Sequence, residues 1–414
     1  MSKIKILTLS DHPLSPSGVG TQTKYFCESL LKTGRYSIIS LGGAVKHNNY
    51  NPVLVEPYGE DWKIVPVDGY GTQEMIRSVI RTEKINLLWF MTDPRFWGWL
   101  WEIENEIRPM CPMVYHHVWD NFPAPYFNRD FYLSNDRIVT ISKVTHNIVK
   151  EVAPEVNTTY LPHSVDPEIF KPMTDSFIED TRNRSLNEND RSKVVFFWNN
   201  RNARRKQSGT LIWWFKEWLD DNNLHDKACL IMHTEPKDPH GQDLEHIIFH
   251  LGLNDRQIML STQKMPPEQL AELYNMVDCT INISDAEGFG LATLESLSCG
   301  TPIIATMTGG LQEQVTDGNE DFGIPLIPTS KSVIGSQQVP YIYEDRINKA
   351  QFHSALNKIY KMGKEGRKNL GMLGREHVMK NYNFYELQKK WVEVIDQVLE
   401  NKENYNGIRF KEVA

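Results

Sequence analysis

The segment Ser284-Asp-Ala-Glu-Gly-Phe-Gly-Leu-Ala-Thr-Leu-Glu295 carries the pattern that decides the fold of this chain. An apolar run that predicts a β-strand precedes it, and a helical pattern that ends near Cys299 follows it. Gly288 and Gly290 allow the backbone to approach a ligand closely, and the amides at the start of the helix attract an anion. The segment therefore predicts a strand, an anion site and a helix, in that order.

Two carboxylates flank this anion site. Glu287 lies in the loop before the helix, and Glu295 lies about one turn inside it. Negative charge beside an anion is unfavourable unless the carboxylates accept hydrogen bonds from hydroxyls of the same ligand. A nucleotide sugar carries such hydroxyls on both sides of its diphosphate. The alternative is a glycine-rich loop with two solvent-exposed glutamates.

Strand and helix patterns of the same kind recur on both sides of this segment. Strand, helix and strand in succession are typical of a doubly wound sheet, and 414 residues are more than one hydrophobic core usually organises. We therefore expect an α/β protein with two Rossmann-like domains built on parallel sheets. The apolar runs that predict strands are residues 4–9, 36–41, 85–90, 113–117, 137–141, 194–198, 228–232, 257–260, 280–283 and 302–305.

Changes in composition divide the chain. Residues 1–172 form the first predicted domain, and the polar, charged stretch 173–191 predicts a linker. Residues 192–380 form the second domain, and residues 381–414 contain a final helix with apolar side chains at helical spacing. Residues 317–345 show weak periodicity, which indicates function or mobility, and the segment 339–345 within them forms either a lid over a site or a surface excursion.

A basic segment follows the first strand of the second domain. Arg201, Arg204, Arg205 and Lys206 place four cations within six residues, enough to neutralise a diphosphate. We interpret Arg204 and Arg205 as solvent-exposed loop charges. A contact with a phosphorylated or otherwise anionic acceptor is the alternative for these two.

The spacing Glu287-x7-Glu295 with its Gly-Phe-Gly interior resembles the signature of retaining GT-B glycosyltransferases of the family 4 type, the glycosyl transferases group 1. The continuation through Thr301-Pro302 to Gly309-Gly310-Leu-Gln-Glu313 fits the same family. The resemblance implies a GT-B fold, in which two Rossmann-like domains face a central cleft. It places the acceptor on the first domain and the nucleotide-sugar donor on the second, and it implies that the final helix crosses back to the first domain.

The resemblance also implies roles for residues of the second domain. In the family an Arg and, five residues later, a Lys hold the donor diphosphate, and Arg201 and Lys206 match this spacing, although Asn200 replaces the usual Gly. Glu295 would accept from the ribose hydroxyls and Glu287 from the hydroxyls of the donor sugar. The full donor-binding set is Gly20, Arg201, Lys206, Glu287, Gly288, Phe289, Gly290, Leu291 and Glu295.

Two segments of the first domain match the family more loosely. In the loop after the first strand, Gly20 resembles the residue that lies near the donor phosphate. At the end of a later strand, a histidine resembles the one that contacts the donor sugar. His116 and His117 are both candidates, and they should point to opposite faces of the strand. We favour His117, so the expected catalytic set is Glu287, His117, Arg201 and Lys206.

The implied reaction moves a hexose-type sugar from a UDP-, GDP- or ADP-sugar to an acceptor hydroxyl, with retention and without a cofactor. An Asp-x-Asp motif of the metal-dependent kind is absent from the sequence, and no His or Cys cluster has zinc spacing, so no metal is expected. We interpret Asp285 as a loop or capping residue. The acceptor is a saccharide, a lipid-linked molecule or a small molecule.

Composition limits the alternatives. The formal net charge of -8 argues against a partner such as DNA, so a glycosyltransferase acting on modified DNA bases is the less favoured alternative. A sugar-nucleotide epimerase and a non-catalytic nucleotide-sugar binding protein are the others. The five dispersed cysteines predict free thiols. Together with the lack of a signal peptide or an apolar stretch of transmembrane length, they predict a cytoplasmic protein.

Overall fold

The computed structural model describes residues 3–402, which divide into two compact units. Unit 1 contains residues 3–164, 335–342 and 384–402. Unit 2 contains residues 165–334 and 343–383. Each unit has its own sheet and its own hydrophobic core.

Unit 1 is built on an eight-stranded sheet in the order β3-β4-β2-β1-β5-β6-β7-β8. Neighbouring strands are parallel, except that β3 and β4 form an antiparallel pair at one edge. The order reverses between β1 and β5, the arrangement of a doubly wound sheet. The strands are β1 (Ile4–Asp11), β2 (Tyr36–Gly43), β3 (Val53–Val55), β4 (Gly59–Pro66), β5 (Leu87–Thr92), β6 (Met113–His117), β7 (Arg137–Thr140) and β8 (Thr158–Tyr160).

Serine side chains cap the N-termini of two of the longer helices of unit 1. Ser17 accepts a hydrogen bond from the amide of Gly20 at 2.9 Å, and Ser142 accepts one from Thr145 at 3.0 Å. Such caps satisfy amides that have no partner inside the helix. The helices are α1 (Gly18–Leu31), α2 (Gln73–Glu83), α3 (Gly98–Trp101), α4 (Glu104–Ile107), α5 (Arg129–Leu133) and α6 (Lys143–Val152).

Unit 2 contains a six-stranded parallel sheet in the order β11-β10-β9-β12-β13-β14, and β15 pairs with β16 in a separate two-stranded sheet. The strands are β9 (Val194–Asn199), β10 (Ala228–His233), β11 (Ile258–Ser261), β12 (Cys279–Asn282), β13 (Ile303–Thr306), β14 (Ile324–Leu326), β15 (Ser330–Ile334) and β16 (Ile342–Arg346). The helices are α7 (Asp175–Ser185), α8 (Ser208–Asn222), α9 (Leu244–His250), α10 (Pro267–Met276), α11 (Leu291–Ser298), α12 (Leu311–Val315), α13 (Lys349–Lys361) and α14 (Gly363–Asn381). The expected α/β fold with two doubly wound parallel sheets is confirmed.

Residues 173–191, for which the sequence predicts a linker, contain α7 and belong to unit 2. Thr174 caps this helix by accepting from Phe177 N at 3.3 Å. Arg182 anchors it to unit 2 through Asp278, at 3.3 Å. The stretch is polar because α7 is a surface helix in which only Thr181 is buried, so its composition resembles that of a linker.

The last described helix, α15 (Phe384–Glu400), belongs to unit 1. Its Trp391 ring packs edge-on against Phe26 of α1, with 4.9 Å between ring centroids, and joins a core cluster on that side of the sheet. Residues 335–342 also belong to unit 1, where the Tyr341 hydroxyl donates to the carbonyl of Ala124 at 3.3 Å. The final helix predicted for 381–414 extends past residue 402, beyond the described residues.

Within residues 3–402, no helix combines the length and the apolar character that crossing a bilayer requires. All five cysteines are buried and have free thiols.

Candidate functional site

The start of α11 lies in a tight arrangement of two glycine-containing turns. Gly290 precedes the helix with a φ of 92°, and a Cβ there would lie 2.4 Å from Leu311. The amide of Gly310 donates to the carbonyls of Glu287 and Gly288, both at 3.2 Å, and a Cβ on Gly310 would lie 2.6 Å from the Gly288 oxygen. No side chain caps the first amides of α11, so they can bind an anion, as the sequence predicts.

Lys206 and Glu287 form an ion pair beside this helix start. The Lys206 ammonium donates to Glu287 Oε2, and the two side chains are only 8% and 12% exposed. Arg205 Nη1 lies 3.9 Å from Glu287 Oε1 and donates to the carbonyl of Ala286 at 2.6 Å. Burial alone would raise the pKa of Glu287, but attraction to Lys206 and Arg205 outweighs burial and lowers that pKa. The site therefore contains an ionised carboxylate between two cations.

The structure does not bring Arg201 into this group. Arg201 forms a two-pronged ion pair with Asp238, with 2.6 Å between Nε and Oδ2 and 3.1 Å between Nη2 and Oδ1. Its side chain is 61% exposed. The loop that carries Asp238 is fixed to the basic segment by Asn202, which donates to the carbonyl of Gln242 at 2.6 Å. The diphosphate role that the resemblance implies for Arg201 stays a prediction.

Arg204 and Arg205 are 62% and 38% exposed, as interpreted from the sequence, but each also has a carboxylate partner. Arg204 Nη1 donates to Glu344 Oε2 at 3.0 Å, and Arg205 contacts the Glu287 loop as described above. A one-turn 3-10 helix over Arg204–Lys206 directs successive side chains to different partners. Sequence reasoning therefore missed Arg205 as a site residue, because Glu287 and Ala286 lie 81 or more residues away in the chain.

Glu295 has a different environment from Glu287. It accepts a hydrogen bond from the Tyr274 hydroxyl at 2.9 Å, and that hydroxyl accepts one from Asn199 Nδ2 at 2.9 Å. Burial raises the pKa of Glu295 to about 7, although the bond from Tyr274 partly offsets the effect. The two carboxylates of the motif therefore differ in charge state near neutral pH.

Two members of the predicted donor set have surroundings that limit their part in a site. The Phe289 side chain is 3% exposed and packs against the Tyr382 ring at 5.6 Å, so only its backbone is placed to meet a ligand. The Gly20 amide already donates to Ser17 at the start of α1. Leu291 is half-buried in the first turn of α11.

His117 lies in the interior of unit 1, which does not fit the expected contact with a sugar. Its Nδ1 is 3.0 Å from the Tyr115 hydroxyl, and its Nε2 is 2.7 Å from the Tyr132 hydroxyl. Both ring nitrogens thus have partners within the unit, and burial lowers the pKa of His117 to about 3. His116 points to the other face of the sheet, where its ring packs edge-on against Trp391 at 5.0 Å. Neither histidine is exposed.

Across residues 3–402, no group of three or more His, Cys, Asp or Glu side chains is arranged to hold a metal ion.

Solved structures identify the class of fold. The chain superposes on a sucrose-phosphate synthase from Thermosynechococcus elongatus with a TM-score of 0.74 and 17% identity, covering 96% of this chain and 100% of that one. A glycosyltransferase from Rickettsia africae gives a TM-score of 0.70 at 17% identity, covering 97% and 100%. Anabaena HepE, solved with UDP and glucose, gives 0.65 at 15% identity, covering 95% and 100%. The chain therefore has the GT-B fold.

A second comparison identifies the family that residues 179–377 match. Residues 179–377 match the family described as glycosyl transferases group 1, and this part of the chain belongs to it. The family resemblance drawn from the Glu287–Glu295 motif is thereby confirmed.

Curated relatives match over shorter stretches. A D-inositol 3-phosphate glycosyltransferase from Corynebacterium jeikeium is 33% identical over 161 residues, which are 38% of this chain and 37% of the relative. One from Acidothermus cellulolyticus is 41% identical over 85 residues, covering 20% and 17%. An N-acetyl-alpha-D-glucosaminyl L-malate synthase from Bacillus anthracis is 26% identical over 114 residues, covering 28% and 28%. The chain thus aligns with between 17% and 37% of the length of these relatives.

Proposed function

We propose that this protein is a retaining, metal-independent glycosyltransferase that moves a hexose-type sugar from a nucleotide-diphosphate sugar to an acceptor hydroxyl. The observation that carries the proposal is the ion pair of Lys206 and Glu287 beside the start of α11. The first amides of that helix are not capped by a side chain. A diphosphate bound there meets cations on one side and helix amides on the other. Both groups stabilise the charge that develops on the leaving phosphate.

The two carboxylates take different parts of the donor. Glu287 is ionised and held in place by Lys206, so it is suited to accept hydrogen bonds from the donor sugar and to stabilise positive charge at its reacting carbon. Glu295 lies about one turn into α11 and is suited to the ribose hydroxyls. The leaving phosphate oxygen accepts the proton of the incoming hydroxyl on the same face of the sugar, which retains the anomeric configuration.

The similarity to known proteins supports a nucleotide-sugar donor. HepE, which shares the fold, was solved with UDP-glucose in a further structure, so UDP-glucose is the first donor to test. Several relatives are named for transfer to D-inositol 3-phosphate, which makes it one acceptor to test among saccharides, lipid-linked molecules and small molecules. A DNA acceptor has less support, because Arg201, Arg204, Arg205 and Lys206 all face carboxylates.

The direct test is thermal denaturation with UDP-, GDP-, ADP- and dTDP-sugars, first in EDTA and then with manganese. A ligand at 100 times its dissociation constant adds about 2.7 kcal/mol to the free energy of unfolding. We expect the sugars of one nucleotide to stabilise the protein in EDTA. NMR of the glycosylated product should then show the same anomeric configuration as the donor sugar. Stabilisation that requires manganese would overturn metal independence, and no stabilisation by any nucleotide sugar would overturn the donor site.

A further inference from the structure

We propose that Asp285 and Arg346 are positioning residues that hold the basic turn Arg204–Lys206 and the Glu287 loop in the arrangement that receives a diphosphate. Neither side chain would touch the donor. The inference rests on the proposed function, because it concerns the geometry of the same site, and it gives a role to β16 in the weakly periodic segment 317–345.

Asp285 connects three segments of unit 2 through its backbone and its side chain. Its amide donates to the carbonyl of Arg205 at 2.8 Å, and its own carbonyl accepts from the amide of Asp345 at 2.7 Å. Its carboxylate accepts from Gln207 Nε2 at 2.6 Å and forms an ion pair with Arg346. The side chain is only 4% exposed. Asp285 is therefore a loop residue, as the sequence suggests, but a buried one that joins three segments.

A series of ion pairs with alternating charge connects Asp285 through β16 to the basic turn Arg204–Lys206. Arg346 Nη2 donates to Glu344 Oε2 at 2.7 Å, and Glu344 in turn accepts from Arg204. Glu344 is 2% exposed. Through this chain of ion pairs, β16 holds the first residue of the turn by its side chain, and Asp285 holds the second residue by its backbone.

Asp285 bears directly on the donor site because both halves of the Lys206–Glu287 ion pair are attached to it. Lys206 follows Arg205 in the turn, and Glu287 follows Asp285 by two residues. Removing the Arg346 charge leaves two buried carboxylates, Asp285 and Glu344, with fewer cations, so they repel each other and shift. A small displacement of groups that stabilise a transition state lowers the rate strongly.

The test compares three variants of the full chain. Arg346→Met removes the charge, and Arg346→Lys keeps a charge but cannot bind Glu344 and Asp285 as a planar fork. The matched control is Arg182→Met. Arg182 is partly buried like Arg346 and also pairs with an aspartate, Asp278. Asp278 lies before β12, at the opposite end of that strand from Asp285.

The probes are UDP, GDP, ADP and dTDP with the matching nucleoside monophosphates, used with each variant well below its Tm. We expect Arg346→Met to weaken the diphosphate about tenfold more than the monophosphate and to lower kcat. Arg346→Lys should recover part of both losses. Arg182→Met should lower the Tm and leave the diphosphate preference intact.

The outcomes that overturn the inference can be told apart from failure of the proposed function. If the wild-type protein binds a nucleoside diphosphate and Arg346→Met changes only the Tm, then Arg346 is merely structural and the proposed function stands. If the wild-type protein binds none of the four diphosphates, the proposed function fails and the inference falls with it. Should Arg346→Met not fold, Glu344→Gln breaks the same chain of ion pairs, and an unchanged diphosphate preference in that variant contradicts the inference.

Discussion

Both units collect polar side chains where their parallel strands end, yet the two collections differ in charge and burial. In unit 2, after β9 and β12, Lys206 and Arg205 surround the ionised Glu287. In unit 1, at the end of β6, His117 is enclosed and bonded by two tyrosine hydroxyls. Strand ends are where open α/β sheets bind ligands, but the comparison shows that position alone does not make a site. The partners of each side chain decide whether it is available to a ligand.

The two regions also respond to pH in opposite directions. The pKa of His117 is lowered to about 3 by burial, whereas the pKa of Glu295 in unit 2 is raised to about 7, again by burial. Both shifts favour the neutral form. Acid therefore destabilises unit 1 by protonating His117, and base destabilises unit 2 by ionising Glu295.

The largest expected effect is the acid sensitivity due to His117. Because its folded-state pKa of about 3 lies below 6.5, the folded protein binds fewer protons than the unfolded chain between these values. The stabilisation is complete above pH 6.5 and is lost as the pH falls, by up to about 5 kcal/mol. We expect His117→Gln to make the fall in unfolding free energy between pH 6.5 and 5 less steep, as measured by urea denaturation, while the buried His116 and His163 keep part of it.

The exposed His246 provides the control, and His246→Gln should leave the wild-type slope unchanged. The same His117→Gln protein also tests the role that the family resemblance implies. The buried position predicts that it keeps kcat near the wild-type value at pH 7.5. A loss of about 100-fold without loss of stability would instead support a contact with the donor.

The next largest effect concerns the charged region of unit 2. Lys206→Met should lower kcat/KM by about 10²- to 10³-fold, because it removes a cation from the developing phosphate charge and leaves Glu287 without its nearest partner. Steady-state kinetics with the identified donor measures this. Lys216→Met, which removes one of the partners of Asp220 on α8, is the matched control and should have little effect. Equal losses in both variants would contradict the proposed site.

Local sequence patterns predicted the sheets well and predicted the site in part. Every expected strand is present within about two residues, because buried parallel strands are short apolar runs. The strands β3, β4, β8, β14, β15 and β16 were missed, since each is short or lacks a continuous apolar run. The motif predicted the loop position of Glu287, the helical position of Glu295 and the start of α11, because all three lie in one continuous segment.

The features of the site that the sequence did not predict depend on contacts between segments that are distant in the chain. Nothing local to Arg201 indicates that Asp238 will pair with it, and nothing local to Asp285 indicates Arg346. The burial of His117 depends on Tyr132, which comes from a separate helix. Sequence spacing identifies residues suited to a site, whereas ion pairing and burial across the fold determine which of them are available.

A third prediction tests the opposite pH response of Glu295. Its folded-state pKa of about 7 lies above the usual 4.5, so stability is complete below pH 4.5 and is lost as the pH rises through 7. The advantage of Glu295→Gln over the wild type should therefore grow by about 3 kcal/mol between pH 4 and pH 8 in urea denaturation. Nucleotide binding should weaken in the same variant. An advantage that does not change with pH would show that Glu295 titrates normally.

The smallest expected effect separates Arg201 from the central ion pair. Asp238 holds Arg201 at an exposed position, where such a pair contributes about 0.2–1 kcal/mol. If the diphosphate competes with Asp238 for Arg201, then Asp238→Asn should tighten nucleoside diphosphate binding by about threefold in calorimetry. The gain should vanish in an Arg201→Met background, because no guanidinium is left to be released. Tightening that persists there would mean that Asp238 repels the diphosphate directly, and weaker binding in the single variant would mean that Asp238 orients Arg201 for the donor.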